Sequence, residues 1–276
     1  MSSILTNNSA IVALQTLKSI NHNLGKTQAE ISSGKTVASA KDNAAVWAIS
    51  KVMEGEQAAF KTIQNNLNAA GAVVATAQTG AEGVAEVLKE IKTLVTGATS
   101  DLMDAPARTK ITQEITRKIE QITSITSTTQ MNGVNLLAND TARQFLGSAN
   151  AGVAVAAGAY VGVTGINITA TMTTMGVLPI GTTADAATAL AAVDTALNTV
   201  LTGAATLGST GKRIADQSNF VGKLADSLKV GVGALVDADM EEASARLQAL
   251  QTQQQLGIQA LSIANQAPSA IMALFR

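Results

Sequence analysis

Residues 46–95 read VWAISKVMEGEQAAFKTIQNNLNAAGAVVATAQTGAEGVAEVLKEIKTLV. Within them Val46, Ile49, Met53, Glu56, Phe60, Ile63, Leu67, Ala70, Val74, Ala77, Ala81, Val84, Leu88, Ile91 and Val95 are spaced alternately by three and four residues. Such heptad spacing lays one apolar seam along a helix and selects left-handed coiled-coil packing. Glu56 is the polar exception, expected at an exposed or paired point of the seam. At ~1.5 Å per residue the helix would be roughly 75 Å long, whereas an average helix has about 11–12 residues. A second series runs Leu190, Val193, Leu197, Val200, Ala204, Leu207, Gly211, Ile214, Ser218, Val221, Ala225, Leu228, Val232 and Leu235. Two helices of this length predict a mainly α fold, a long antiparallel hairpin or coiled-coil rod, and rods are commonly parts of assemblies.

The bulk composition agrees. Among 276 residues there are one Trp, one Tyr and four Phe. Aromatics supply large buried areas to a thick core, so apolar content drawn from Ala, Val, Leu and Ile suits thin helix–helix seams instead. The formal net charge of −1 argues against nucleic acid, whose phosphates need a basic surface. The absence of cysteine excludes a disulfide framework and thiolate metal sites. The opening Met1-Ser2-Ser3-Ile4-Leu5-Thr6-Asn7-Asn8 has no basic or apolar signal region, so export would need a route without a cleaved signal. No membrane span is expected in the uncharged segment from Gln144 to Ala184. Its nearly apolar run, Ala151 to Val163, is interrupted by Gly152, Gly158 and Gly162, and a span needs about 20 residues. Short strands and turns rich in Gly and Thr are expected there.

Outward from the stripes, Ile11, Leu14, Leu17, Ile20, Leu24 and Ile31 predict an amphipathic helix of about 25 residues, closed at Gly34 by a left-handed cap. Ser39 with Asp42 reads as the capping arrangement that starts the first long helix. Pro106 opens a further helix carrying Ile111, Ile115, Ile119, Ile122 and Ile125, since proline is tolerated in a first turn. Asn132-Gly133 signals a tight turn, and a small β-rich patch is expected from Asn135 to about Pro179. Asp237-Ala238-Asp239 should end the second long helix and cap a terminal one bearing Leu247, Leu250, Leu256, Ile258, Leu261 and Ile263, which is expected to yield at Pro268. The layout is nearly a palindrome. Its simplest fold brings the two terminal helices together as a thin pair, marginal alone because short helices draw most of their stability from packing.

Chemistry is sparse. The single histidine, His22, lacks a His or Cys partner and reads as a helix residue. Ser209-Thr210-Gly211-Lys212-Arg213 lacks the upstream glycine spacing of a phosphate loop, and no HExxH zinc motif occurs. Asp237, Asp239, Glu241 and Glu242 lack the further ligands and central glycine of a calcium loop; they suit a helix N-terminus, whose dipole favours negative charge. Trp47, beside the stripe, reads as a packing anchor. No catalytic, cofactor or metal site is expected.

The ends carry a resemblance that periodicity alone does not give. Ile4 to Ala10 with Leu17, Ile31-Ser32-Ser33-Gly34-Lys35, Ser39 to Ala45, and Met131-Asn132-Gly133 with Leu136-Leu137 are similar to the N-terminal half of bacterial flagellins. Asp237-Ala238-Asp239 with Glu242 and Ser244, Ala264 to Pro268, and Leu274-Phe275-Arg276 resemble that family's C-terminal signature. The resemblance covers residues 1–145 and 186–276. It implies a self-assembling structural subunit of the extracellular flagellar filament, exported by the flagellar type III apparatus, with no catalysis. The short separation of the two halves implies a type lacking large outer domains.

The family's layout implies an inner-tube helix and linker at 1–41, rod helices at 42–130 and 185–236, a solvent-facing patch at 131–184, and a second inner-tube helix at 237–276. Implied partners are other copies of the chain, an export chaperone on the C-terminal helix, the filament cap and the hook–filament junction proteins, with no nucleic acid or membrane. Polymerisation is expected to use Leu14, Leu17, Ile20, Leu24 and Ile31 with Leu247, Leu250, Ile258, Leu261 and Ala264. Leu88, Glu90, Leu94 and Glu114 match the region that an innate receptor recognises in some flagellins. Glu90 stands where recognised proteins carry arginine, so weak or absent receptor activation is expected. Thr169, Thr171, Thr173 and Thr174 are candidate O-glycosylation sites in an exposed loop. The rival readings are a hook–filament junction protein, which shares the helical ends, a monomeric secreted adhesin, which would need a binding surface, and a secreted enzyme, for which no zinc motif occurs.

Overall fold

A computed structural model describes residues 7–148, 159–176 and 178–274, with side chains through residue 266. Ile4-Leu5-Thr6, the 151–158 portion of the apolar run and Phe275-Arg276 lie outside these residues. The elements in chain order are α1 (Asn8–Ser33), α2 (Ala44–Ala98), α3 (Ala105–Thr128), β1 (Arg143–Leu146), β2 (Tyr160–Val163), α4 (Ile168–Met175), α5 (Thr183–Val236) and α6 (Met240–Leu274). α2 has 55 residues and α5 has 54, each roughly 80 Å at the helical rise. By its contacts the chain divides into two units, residues 1–55 with 227–276, and residues 56–226.

In the unit spanning 56–226, the first heptad stripe is the core. Phe60, Ile63, Leu67, Ala70, Val74, Ala77, Ala81, Val84, Leu88, Ile91 and Val95 are all buried. Each large aliphatic side chain so buried contributes about 1.5–3 kcal/mol. The partner is α5, running antiparallel. A Cβ on Gly222, Gly211 or Gly208 would meet Gln64, Val74 or Gln78, while a Cβ on Gly71 would meet Ile214. Ser218 Oγ donates to Asn68 Oδ1 at 2.7 Å, and Lys92 Nζ pairs with Asp194 at 2.7 Å. As α2 advances through 64, 68, 71, 74, 78 and 92, its partners retreat through 222, 218, 214, 211, 208 and 194, so the pair keeps one register throughout.

The second stripe needs a correction in its first half. Ala186, Ala189, Val193, Ala196 and Val200 are the buried line, and the expected Leu190, Leu197 and Ala204 flank it half-buried. Alanine lets helices approach closely, so closeness rather than side-chain size decides which residues are covered. At the far end Val236 is buried and Leu235 is exposed. By length and composition α5 could cross a membrane, but its Val193, Val200, Leu207, Ile214 and Val221 are buried in this unit.

α3 starts as its proline predicts. Asp104 caps it by accepting from Ala107 N–H at 2.9 Å, with Pro106 in the first turn. It lies antiparallel on α2: Thr129 against Gly80, Ile125 against Gly83, and Lys118 paired with Glu90. Arg108 is buried and donates to the carbonyls of Ala98 and Ser100, where a cation complements the C-terminal end of α2.

Met131 and Val134 exchange backbone hydrogen bonds of 3.0 and 2.9 Å around Asn132 (φ 54) and Gly133 (φ 75). Two successive positive φ values are what an Asn-Gly hairpin turn supplies. The patch beyond it is less β-rich than its composition suggests. Its described strands are β1 and β2, antiparallel, with Arg143 opposite Val163 and Leu146 opposite Tyr160. Residues 168–175, expected as strands and turns, form α4 instead. Asn167 caps it by accepting from Ala170 N–H at 2.8 Å, and Ile168, Met172 and Met175 bury one face. Its threonine hydroxyls donate back to carbonyls four residues earlier, which satisfies residue types that otherwise favour strands.

Candidate assembly surface

The other unit holds both ends of the chain. Asn7 caps α1 by accepting from Ala10 N–H at 3.1 Å, and Gly34 (φ 68) closes it in the left-handed conformation that glycine adopts without strain. The start of α2 is differently built from the expected capping arrangement. Asp42 accepts from Ser39 N–H at 2.9 Å and Ser39 Oγ–H at 3.0 Å, organising the preceding loop. Asn43 is the residue that caps α2, accepting from Val46 N–H at 3.2 Å. The hydrogen bonds from Ser39 hold the Asp42 carboxyl below its ordinary pKa. The bond from Lys51 Nζ, at 2.6 Å, does the same for Glu54, with Lys35 Nζ 3.9 Å away.

The turn after α1 braces the break between α5 and α6. Thr36 N–H donates to Val236 O at 2.8 Å, and Ala238 N–H donates to Gly34 O at 2.9 Å. Asp239 then caps α6, accepting from Glu241 and Glu242 N–H at 2.9 and 3.2 Å. The acidic cluster is therefore a helix start. Among the described residues no three His, Cys, Asp or Glu converge on a metal position.

α1 and α6 lie antiparallel along one another. A Cβ on Gly257 would be 3.2 Å from Leu17, Gln254 Nε2 donates to Asn21 Oδ1 at 2.7 Å, and Asn7 Nδ2 donates to Ala264 O at 2.7 Å. Each helix shows its partner a heptad line. On α1 the covered residues are Ala10, Ala13, Leu17, Ile20, Leu24, Thr27 and Ile31; on α6 they are Ala243, Leu247, Leu250, Gln254, Gly257, Leu261 and Ala264. The pair thus brings together eight of the ten residues expected to polymerise. The other two, Leu14 and Ile258, are exposed and point away from the pair. Thr27, Gln254 and Gly257 were missed because they are not apolar, although continuing the three-four count from Leu24 and Leu250 reaches all three. α6 also runs on through Pro268, where it was expected to end.

One end of this pair leaves large apolar side chains uncovered on both flanks of its seam. Ile11, Val12, Leu14, Leu256, Ile258 and Ile263 are each at least 43% exposed. The Asn7–Ala264 bond places these stretches of the two helices side by side.

The remaining candidates lie in the 56–226 unit. Leu88 belongs to the interior, fully buried, and not to a receptor-accessible surface, while Leu94 is half-buried. Glu90 is exposed and accepts from Lys118 Nζ at 2.6 Å, a bond that raises the Lys118 pKa. Glu114 accepts from Arg117 at 2.8 Å, which lowers its pKa. Thr169, Thr173 and Thr174 are exposed and Thr171 half-buried, on a helix rather than the expected loop. His22 is an exposed residue of α1.

Comparison with known proteins gives a consistent result. Residues 4–142 match the bacterial flagellin N-terminal helical region, and residues 190–275 match the bacterial flagellin C-terminal helical region. The chain is 35% identical to flagellin FljM of Caulobacter vibrioides over 277 residues, covering 100% of this chain and 99% of that protein. It is 36% identical to flagellin C of Rhizobium meliloti over 323 residues, covering both proteins fully (100% of each). A solved structure of a putative flagellar hook-associated protein from Vibrio parahaemolyticus shares the fold at a TM-score of 0.55 and 14% identity, covering 71% of this chain and 100% of that one.

Proposed function

This chain belongs to the bacterial flagellin family, and we propose that the α1–α6 pair is the element through which it polymerises. It is a structural subunit of the extracellular flagellar filament and assembles with copies of itself; flagellins are structural proteins, not enzymes. The observation that carries the proposal is the exposure of Ile11, Val12, Leu14, Leu256, Ile258 and Ile263 on the two flanks of the pair. A thin two-helix pair cannot offset its ordering entropy with one seam, and neighbouring copies laid on these flanks would supply the missing burial.

In this reading Leu17, Ile20, Leu24 and Ile31 with Leu247, Leu250, Leu261 and Ala264 build the pair, and Leu14 and Ile258 meet the next copy. Residues 1–41 and 237–276 form the inner tube, 42–130 and 185–236 the surrounding helical layer, and 131–184 the solvent-facing patch. Export through the type III apparatus, a chaperone on α6, the filament cap and the junction proteins complete the set of partners. The negative charge of Glu90, tied to Lys118, supports weak or absent innate-receptor activation, and strong signalling in a reporter-cell assay would contradict that. Exposure of Thr169, Thr173 and Thr174 supports O-glycosylation, which native filament showing only the unmodified mass would rule out.

Leu24→Asp or Leu261→Asp tests the main proposal. Either places a charge in the α1–α6 seam and should abolish seeded filament growth while leaving the 56–226 unit folded. Normal filaments from both variants would reject the assignment.

A further inference from the structure

The bond from Asn7 to Ala264 falls at a special carbonyl of α6. In an α-helix each C=O accepts from the N–H four residues on. For Ala264 that position is Pro268, which lies inside α6 and has no N–H to give. Asn7 Nδ2 donates to this carbonyl at 2.7 Å. At the same time Asn7 Oδ1 accepts from Ala10 N–H at 3.1 Å, capping α1. One carboxamide therefore starts the N-terminal helix and completes the hydrogen bonding of the C-terminal one.

The chemistry selects asparagine. Aspartate would cap but has no N–H to donate. Alanine would do neither. The neighbouring seam supplies less of this information: apart from Leu17 and Leu261, its residues Ala10, Ala13, Gly257 and Ala264 are small, and small residues discriminate poorly between registers. A single polar residue in such a seam fixes register at positions that apolar contacts leave degenerate.

We infer that Asn7 is a positioning residue that sets the register of α1 on α6 by serving the carbonyl that Pro268 leaves open. The device acts within one chain and holds whichever surface polymerises, so it stands or falls separately from the assembly proposal.

The full chain has no cysteine, which makes engineered cross-linking clean. Asn21→Cys with Gln254→Cys reports the observed register, since these side chains touch. Asn21→Cys with Leu261→Cys, the heptad equivalent of Gln254 on the same covered line, reports a register one heptad away. With Asn7 and Pro268 intact, the first pair should oxidise about tenfold faster than the second, the scale expected when a carbonyl is otherwise left unserved. Asn7→Asp keeps the cap and loses the donor, and should bring the two rates within about threefold. Pro268→Ala gives Ala264 a helical donor and should have the same effect. The two substitutions together should do no more than either alone. Helix content by circular dichroism should stay unchanged, separating loss of register from loss of α1. Equal rates in the starting chain, an unchanged preference in Asn7→Asp, or independent effects of the two substitutions would each overturn the inference.

Discussion

Ser218 on α5 donates its hydroxyl to Asn68 Oδ1 on α2 at 2.7 Å, a polar contact inside an otherwise apolar heptad seam. Ser218 is buried, so its hydroxyl must find a partner, and that partner exists only in the observed antiparallel register. Ser218→Ala should therefore lower stability by about 0.5–1.5 kcal/mol, the net worth of one such bond. Thermal unfolding would read this as a small downward shift, and an increase in the midpoint would contradict the role given to the pair.

Leu67 is fully buried at the centre of the same seam. Leu67→Ala leaves a cavity that two rigid helices cannot close, at a cost of about 2–5 kcal/mol. Denaturant titration should show the midpoint falling sharply. A change below half a kcal/mol would mean that the helices collapse onto the gap.

Gly165 lies where a Cβ would run into the backbone carbonyls of Leu136 and Asn139. The Leu136 carbonyl is held by the bond from Ile166 N–H, at 2.6 Å, and cannot swing aside as a long side chain would. Gly165→Ala should destabilise the 56–226 unit by about 1–3 kcal/mol through overpacking. Unchanged unfolding in urea would show that this connection is pliable.

Much of this was legible from spacing. The heptad line expected from Val46 to Val95 is buried from Phe60 onward, because a strict three-four alternation leaves a helix one face to cover, whereas Ile49 near its start is exposed. The first half of α5 was misread because leucines were weighted over alanines, although Ala186, Ala189 and Ala196 allow the closer approach. α4 was hidden by its threonines, whose strand preference is offset by hydroxyls bonded to the preceding turn; Asn167 before Ile168 was the available signal. Pro268 was read as a stop because sequence alone does not reveal that Asn7 serves the Ala264 carbonyl from 257 residues away.

The pH response follows from the bonded carboxylates. Asp42, Glu54 and Glu114 are held below their ordinary pKa values, chiefly by hydrogen bonds from Ser39, Lys51 and Arg117. A lowered carboxylate contributes stability that is present above its unfolded pKa, about 4, and is lost as pH falls through the folded value. Lys118, raised by its bond to Glu90, contributes below its unfolded pKa, about 10.4, and loses that contribution as pH rises through the folded value. Stability should be level between these limits and fall on the acid side, with a shallower acid slope in Asp42→Asn. Rising stability between about pH 5 and pH 3 would contradict these bonds.

The most direct measurement is high-resolution electron microscopy of filaments grown from the purified chain with short seeds. The account predicts long, uniform, hollow filaments in which α1 and α6 line the inner wall, with Ile11, Val12, Leu14, Leu256, Ile258 and Ile263 covered by neighbouring copies. Filaments in which those side chains stay open to solvent, or a chain that remains monomeric despite seeding, would contradict it.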